Sequence, residues 1–200
     1  MSDSVRILYA IHVGLWISFI AARLFVRSGG GLRNAPPTAP RVSREYTAAY
    51  SRVFLVFHAC GIVVFYAGVV TARPADSVHA GTPAQRVVGG LVIAVGAALI
   101  GWAIVSLHSW RFRAKLDAGH QLTTTGAFRL LRHPIYSGMN LAALGTVLWV
   151  PTPVVGIGFM LIVLGSEVRA RAEEALMHRA FGSAYSEYSK RTKRFIPCVY

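Results

Sequence analysis

Acidic side chains are scarce in this 200-residue chain. Eight Asp and Glu stand against 21 Lys and Arg, and charged residues reach only 14%, where a soluble domain carries about a quarter. Cysteine is scarcer still. Cys60 and Cys198 alone offer no CxxC spacing and no disulfide framework. No two of the seven histidines form an H-x-x-H or H-E-x-x-H pair, which argues against a metal site. The glycines of 29–31 and of Gly156-Ile-Gly158 lack the strand and helix context of a dinucleotide fingerprint. The chain has no internal repeat and no apolar core beyond its long apolar runs. It also has no visible Ser-His or Cys-His pairing for nucleophilic catalysis.

What is present is apolar length. Hydrophobic residues make up 54% of the chain, and about 20 in a row are needed to cross the hydrocarbon core as a helix. Residues 5–26, 53–72 and 87–107 meet that length. Residues 135–166 are too long for one span and are broken at Pro151-Thr-Pro153 after Trp149, which predicts a tight hairpin of two short helices. The expected fold is therefore all-α, a polytopic integral membrane protein with five transmembrane helices. The first span lacks a basic start and an A-x-A site, so it reads as retained. All but three of the Lys and Arg fall in 23–52, in 111–132 or in the tail from Arg169. The expected topology thus places the amino terminus outside and the carboxy terminus in the cytoplasm, in a cell (inner) membrane. The formal charge of +13 is explained by this bias and by attraction to anionic membrane lipids, with no nucleic-acid fold around it. Loops are expected at 28–45 and 73–83.

Two organisational units follow: residues 1–107, three helices with their loops, and residues 108–200, where chemistry would lie. In RHPIY, Pro134 suits the first turn of a helix, and His133 before it is pushed to an extended backbone that caps rather than joins the helix. A helix amino terminus flanked by Arg129 and Arg132 favours an anion. Snorkelling anchors explain the same residues, and the pentapeptide alone favours that reading. In the tail, Glu167, Arg169, Arg171, Glu173 and Glu174 sit where the last span ends. Arg169 and Glu173 are four apart and suit a surface pair, or one carboxylate faces the site opened by RHPIY; spacing leaves both open. The tail is helical by composition, with Gly182 as a C-cap before a second short helix containing Tyr185 and Tyr188. Asn140 and the small residues Gly89, Gly90, Gly96, Ala97 and Ala98 read as helix packing in lipid.

The order of these elements resembles the isoprenylcysteine carboxyl methyltransferase family of membrane enzymes and its bacterial relatives. The resemblance rests on Gly119-His120-x-Leu122, Gly126-x-Phe128, Arg132 to Tyr136, Arg169, Glu173-Glu174, Phe181-Gly182-x-x-Tyr185-x-x-Tyr188 and Phe195-Ile196-Pro197, about the last ninety residues. It implies S-adenosylmethionine as methyl donor and S-adenosylhomocysteine as product, in a cytoplasmic pocket closed by the carboxy-terminal helix. By resemblance, His120, Leu122, Gly126, Phe128, Arg132, His133, Pro134, Tyr136 and Glu173 line the cofactor pocket. Glu174 and Arg169 are the implied catalytic pair, with Arg169 orienting an acceptor carboxylate. The implied partner is a lipophilic or lipidated acceptor entering from the inner leaflet, a prenylcysteine or another lipid acid. Phospholipid amines and small thiols are the alternatives within the superfamily. Outside it stand an NADPH-dependent sterol-type reductase, whose R-H-P-x-Y motif carries Asn where this chain has Ile135, and a non-catalytic membrane scaffold.

Overall fold

Helix boundaries fall where the capping residues stand. The computed structural model describes residues 3–27, 46–47, 51–71, 81–107, 115–116 and 121–200. Helix α1 runs Asp3–Arg27, α2 Ser51–Thr71, α3 Pro83–Ser106, α4 Pro134–Trp149, α5 Pro153–Phe181 and α6 Ser183–Arg191. Two-residue strands β1 (Tyr46–Thr47) and β2 (Lys115–Leu116) pair antiparallel, so the expected all-α class holds apart from this short ladder. Thr82 and Gln85 open α3 with a capping box, followed by Pro83. The Thr82 hydroxyl accepts from the Gln85 N–H at 3.2 Å, and the Gln85 side chain accepts from the Thr82 N–H at 2.7 Å. Thr152 caps α5 through its hydroxyl alone, which accepts from the Val155 N–H, and Pro153 and Pro134 fill first turns that have no use for an N–H. Helix α5 ends at Gly182, whose φ of 55° suits glycine, and α6 follows with Tyr185 and Tyr188 buried.

The hairpin expected over 135–166 is present as α4 and the start of α5, turning at Pro151 and Pro153. Its second arm differs from the short helix expected. It continues as a single helix of 29 residues into the tail, because no glycine or proline interrupts 166–181 and the residues there are mostly good helix formers.

Two antiparallel pairs, α3 with α4 and α2 with α5, form the body of the molecule. Glycines set both seams. Gly89 and Gly96 of α3 lie against the backbone carbonyls of Gly145 and Gly138 in α4. In the other pair Gly158 and Gly165 of α5 lie against Phe65 and His58, and Gly61 and Gly68 of α2 lie against Leu161 and Val155. An added methyl at these positions meets backbone atoms, whereas at Gly101 or Gly156 it meets nothing within 4 Å. The small residues of α3 thus pack helices closely, as expected. Leu8 of α1 joins Phe65, Ile93, Ala143, Val155 and Ile162 in the core between the pairs. Asn140 accepts a hydrogen bond from the Ser166 hydroxyl at 3.1 Å, an amide joining α4 to α5.

Two helices among the described residues, α3 and α5, are long and apolar enough to cross a membrane. The apolar parts of α1 and α2 are shorter, Arg6–Ala22 and Leu55–Thr71, and α4 has 16 residues. Only 28% and 33% of the apolar windows of α3 and α5 are buried, which is unlike the core helix of a soluble fold. The outward faces instead carry Ile17, Val63, Leu91, Val95, Ile157 and Met160, all more than half exposed.

Candidate functional site

The segment between α3 and α4 is shaped by one glycine. Gly126 opens a 3-10 turn, Gly126–Arg129, at a φ of 60°, and a Cβ there would run into the Ser106 side chain. Only glycine fits both constraints. The turn then meets the tail. The Tyr188 hydroxyl donates to the Phe128 carbonyl at 2.7 Å, and Leu122 packs with Leu176, Phe181, Tyr185 and Tyr188. Burial pushes the Tyr188 phenol above its ordinary value, so this hydroxyl stays a donor.

The RHP segment is held from behind by the chain terminus. The Arg132 N–H donates to the Lys193 carbonyl at 2.7 Å and the His133 N–H to the Arg194 carbonyl at 3.1 Å. The Ser137 hydroxyl donates to the Phe195 carbonyl at 2.8 Å. With its backbone so fixed, Arg132 turns its guanidinium to Glu174. Its Nε donates to Oε1 at 2.9 Å, and its Nη1 reaches the carbonyls of Ser189, at 3.0 Å, and Thr192. Arg194 grips the same carboxylate with a fork, Nε at 3.0 Å and Nη2 at 2.7 Å. His133 stands at the N-cap position of α4, yet its side chain makes no capping bond. It points to Glu174 at 3.2 Å, and since a carboxylate only accepts, Nε2 carries the proton.

Glu174 is thus the hub of a partly buried ion cluster. Burial alone would raise its pKa, but hydrogen bonds from His133, Arg194 and Arg132 outweigh that and hold it well below the usual carboxylate range. Arg194, raised chiefly by its bond to Glu174, also donates to Glu167 at 2.9 Å, and Glu167 accepts from Arg171 at 2.5 Å and from the Tyr200 hydroxyl at 2.9 Å.

Glu173 faces a different neighbour. The Tyr136 hydroxyl donates to it at 2.6 Å, Arg169 lies 3.5 Å away, and His133 Nδ1 is at 3.7 Å. The Arg169–Glu173 pair is 14% and 26% exposed rather than a free surface pair. Arg169 also lies 5.3 Å from the centre of the Tyr136 ring, on which His133 stacks at 5.6 Å. Four guanidiniums (Arg132, Arg169, Arg171, Arg194) and three carboxylates (Glu167, Glu173, Glu174) therefore gather where the apolar part of α5 ends.

The structure brings together most of the residues singled out in the sequence. Arg132, His133, Pro134, Tyr136, Arg169, Glu173 and Glu174 share one neighbourhood, while Leu122, Gly126 and Phe128 form the adjoining turn and its apolar packing. His120, the loop expected at 28–45 and residues 73–80 of the loop expected at 73–83 lie outside the described residues, and the end of that second loop holds the Thr82 cap and the Pro83 start of α3. Arg194 was missed because its run, KRTKRF, reads as membrane-anchoring charge. No metal-ligating group of three or more His, Cys, Asp or Glu occurs among the described residues.

Beyond Tyr136, an apolar cleft of about 100 Å³ opens between α1, α2, α3, α4 and α5, lined by Leu15, Phe65, Ile100, Met139 and Ile162 among others. Its polar wall is internally satisfied. His12 bonds Tyr66 through Nδ1 and Thr146 through Nε2, both at 2.9 Å, and Trp16 donates to Tyr66 at 2.9 Å.

Comparison with known proteins agrees with this geometry. The family model described as phospholipid methyltransferase matches residues 84–184, from the start of α3 into α6. The probable protein-S-isoprenylcysteine O-methyltransferase of Oryza sativa subsp. indica is 28% identical over 116 residues, covering 56% of this chain and 61% of that protein. The protein-S-isoprenylcysteine O-methyltransferase B of Arabidopsis thaliana is 33% identical over 88 residues, covering 44% and 45%. The human protein-S-isoprenylcysteine O-methyltransferase is 32% identical over 81 residues, covering 40% and 28%. The chain thus spans less than two thirds of the length of each. With the family model matched over half of its residues and the RHPIY and Glu173-Glu174 elements within that match, the chain belongs to the phospholipid methyltransferase family and is similar to protein-S-isoprenylcysteine O-methyltransferases.

Proposed function

We propose that the protein is an integral membrane methyltransferase that transfers the methyl group of S-adenosylmethionine to the carboxylate of a prenylcysteine-like or other lipophilic acceptor. The observation that carries this reading is Arg169 and Glu173 held against Tyr136, a fixed cation beside a fixed anion at the end of the apolar helices. The donor set suits S-adenosylmethionine, a zwitterion with an added positive sulfur: guanidiniums and the α4 amino terminus for its carboxylate, Glu173 and the Phe128 ring for the sulfonium. When bound, that group supplies an electrophilic methyl on sulfur.

The remaining work falls to the chain. In-line transfer to an ionised carboxylate asks for proximity, orientation and exclusion of water, and for no general base. Arg169 orients the acceptor carboxylate, Glu173 and Tyr136 fix Arg169, and the Glu174 cluster locks RHPIY against α5. The matched relatives are named for methylating protein isoprenylcysteine, and an apolar cleft about two helical turns along α5 from Arg169, lined there by Ile162, suits such a tail. The proposal extends to topology: α1 to α5 span the inner membrane, with residues 108–200 building the donor pocket on the cytoplasmic face and the acceptor entering from the inner leaflet.

The test is ligand-dependent melting of the purified protein. S-adenosylhomocysteine at a hundredfold excess over its Kd should stabilise by about 2.7 kcal/mol. NADPH should do nothing, and stabilisation by NADPH alone would refute the assignment. Arg169→Ala should keep S-adenosylhomocysteine binding within about twofold while turnover falls at least about tenfold, the loss of one charged hydrogen bond. Equal loss of both would place Arg169 on the donor side.

A further inference from the structure

Two histidines stand deep among the apolar helices, and their surroundings treat them differently. His12 has both ring nitrogens bonded, as described for the cleft wall. His58 of α2 is 2% exposed, and neither ring nitrogen has a hydrogen-bond partner among the described residues. The only other such buried side-chain atom among them, the Trp149 indole nitrogen, lies at the opposite end of α4. Buried polar groups are nearly always paired, so an orphaned imidazole asks for an explanation. Close packing fixes this one in place, since the backbone and ring base of His58 lie about 3.1 Å from where a Cβ on Gly165 would stand.

Its neighbours suggest what it waits for. The His58 ring lies 6.0 Å from the Tyr136 ring, which in turn carries Arg169 at 5.3 Å. Ile62 follows His58 by four residues, Met139 follows Tyr136 by three, and Ile162 precedes Arg169 by seven; all three line the cleft. These spacings keep each pair on one helix face, so the three polar side chains gather one or two turns beyond the cleft wall on α2, α4 and α5. A neutral imidazole offers one donor and one acceptor. An amide is the simple head group that answers both, whereas a bare alkyl acid leaves the imidazole acceptor nitrogen unpaired.

We propose that His58 is a specificity-determining residue that receives an amide next to the acceptor carboxylate, with the carboxylate at Arg169 and the apolar tail in the cleft. This rests on the methyl-transfer reading above, and it assigns α2, outside the matched family region, a role in acceptor choice.

The experiment compares wild type, His58→Leu and His58→Gln in lipid nanodiscs, using two probes that differ by the amide: N-acetyl-S-farnesylcysteine and 3-(farnesylthio)propionic acid. Wild type should show a KM about tenfold lower for the amide probe, worth one buried hydrogen-bonded group. His58→Leu should lose that preference, His58→Gln should keep part of it, and S-adenosylhomocysteine affinity should stay within about twofold in both. Since the ring nitrogens have no hydrogen-bond partner among the described residues, His58→Leu should also melt at or above the wild-type temperature without ligand. A leucine variant that keeps the amide preference, or that melts several degrees below wild type, overturns the proposal. If wild type binds S-adenosylhomocysteine but methylates neither probe, the prenylcysteine reading fails and the His58 proposal falls with it, whereas methylation of both probes with equal KM overturns the His58 proposal alone.

Discussion

Glu174 shows why a carboxylate can be read from sequence while its partners cannot. The Glu173-Glu174 pair is visible in the tail, but two of the donors to Glu174 come from residues about 41 to 42 positions earlier and a third from 20 positions later. Only the fold of the terminus beside RHP joins them. Splitting the pair between Tyr136 and the arginine cluster was equally beyond spacing, because adjacent helix residues point some 100° apart. Glu174→Gln should cost about 2 kcal/mol, less than the 3–5 kcal/mol of a fully buried pair, because this network reaches solvent at its edges. Its pH signature follows from the depressed carboxyl. The stabilisation is complete above the ordinary value near 4.5 and drains as pH falls through the lower folded value. Melting temperature should therefore hold from pH 8 to about 5 and decline below about 4.5, with a shallower decline in Glu174→Gln. An unchanged acid slope in the variant would remove Glu174 from the stabilising cluster.

The helices were legible because their punctuation is chemical. Thr82-Pro83, Pro134, Thr152-Pro153 and Gly182 start and stop elements where those residue types must. Composition alone left the partnering of the helices open, since apolar residues surround each of them and no single face stands out. Glycine position decides it: seven-residue spacings, 89 and 96 in α3 against 138 and 145 in α4, and 61 and 68 in α2 against 158 and 165 in α5, align two antiparallel seams. Gly96→Ala and Gly138→Ala should each destabilise by about 1–3 kcal/mol, as overpacking does. Gly101→Ala and Gly156→Ala, which face open space, should fall within about 0.5 kcal/mol of wild type. Chemical unfolding in detergent micelles checks the contrast, and equal effects at all four positions would mean that the seams do not hold the helices.

At the scale of the whole molecule, polar chemistry collects at one end of an apolar helical body. The ion cluster lies where α4 begins and the apolar part of α5 ends, and the cleft lies between the helices beyond it. Such a layout suits a water-soluble donor meeting a lipid-anchored acceptor at a boundary. The proposed donor side was readable, because its motifs are contiguous in sequence. The proposed acceptor side was not, because the cleft draws between one and four residues from each of five helices and His58 reads as one more histidine within an apolar run. The central claim is tested most directly by incubating the protein in nanodiscs with methyl-labelled S-adenosylmethionine and N-acetyl-S-farnesylcysteine, then treating the apolar product with base. The account predicts labelled product that releases volatile methanol, as a methyl ester must. Label that stays on the apolar product through base treatment would mean transfer to nitrogen, sulfur or carbon, and would contradict carboxylate methylation.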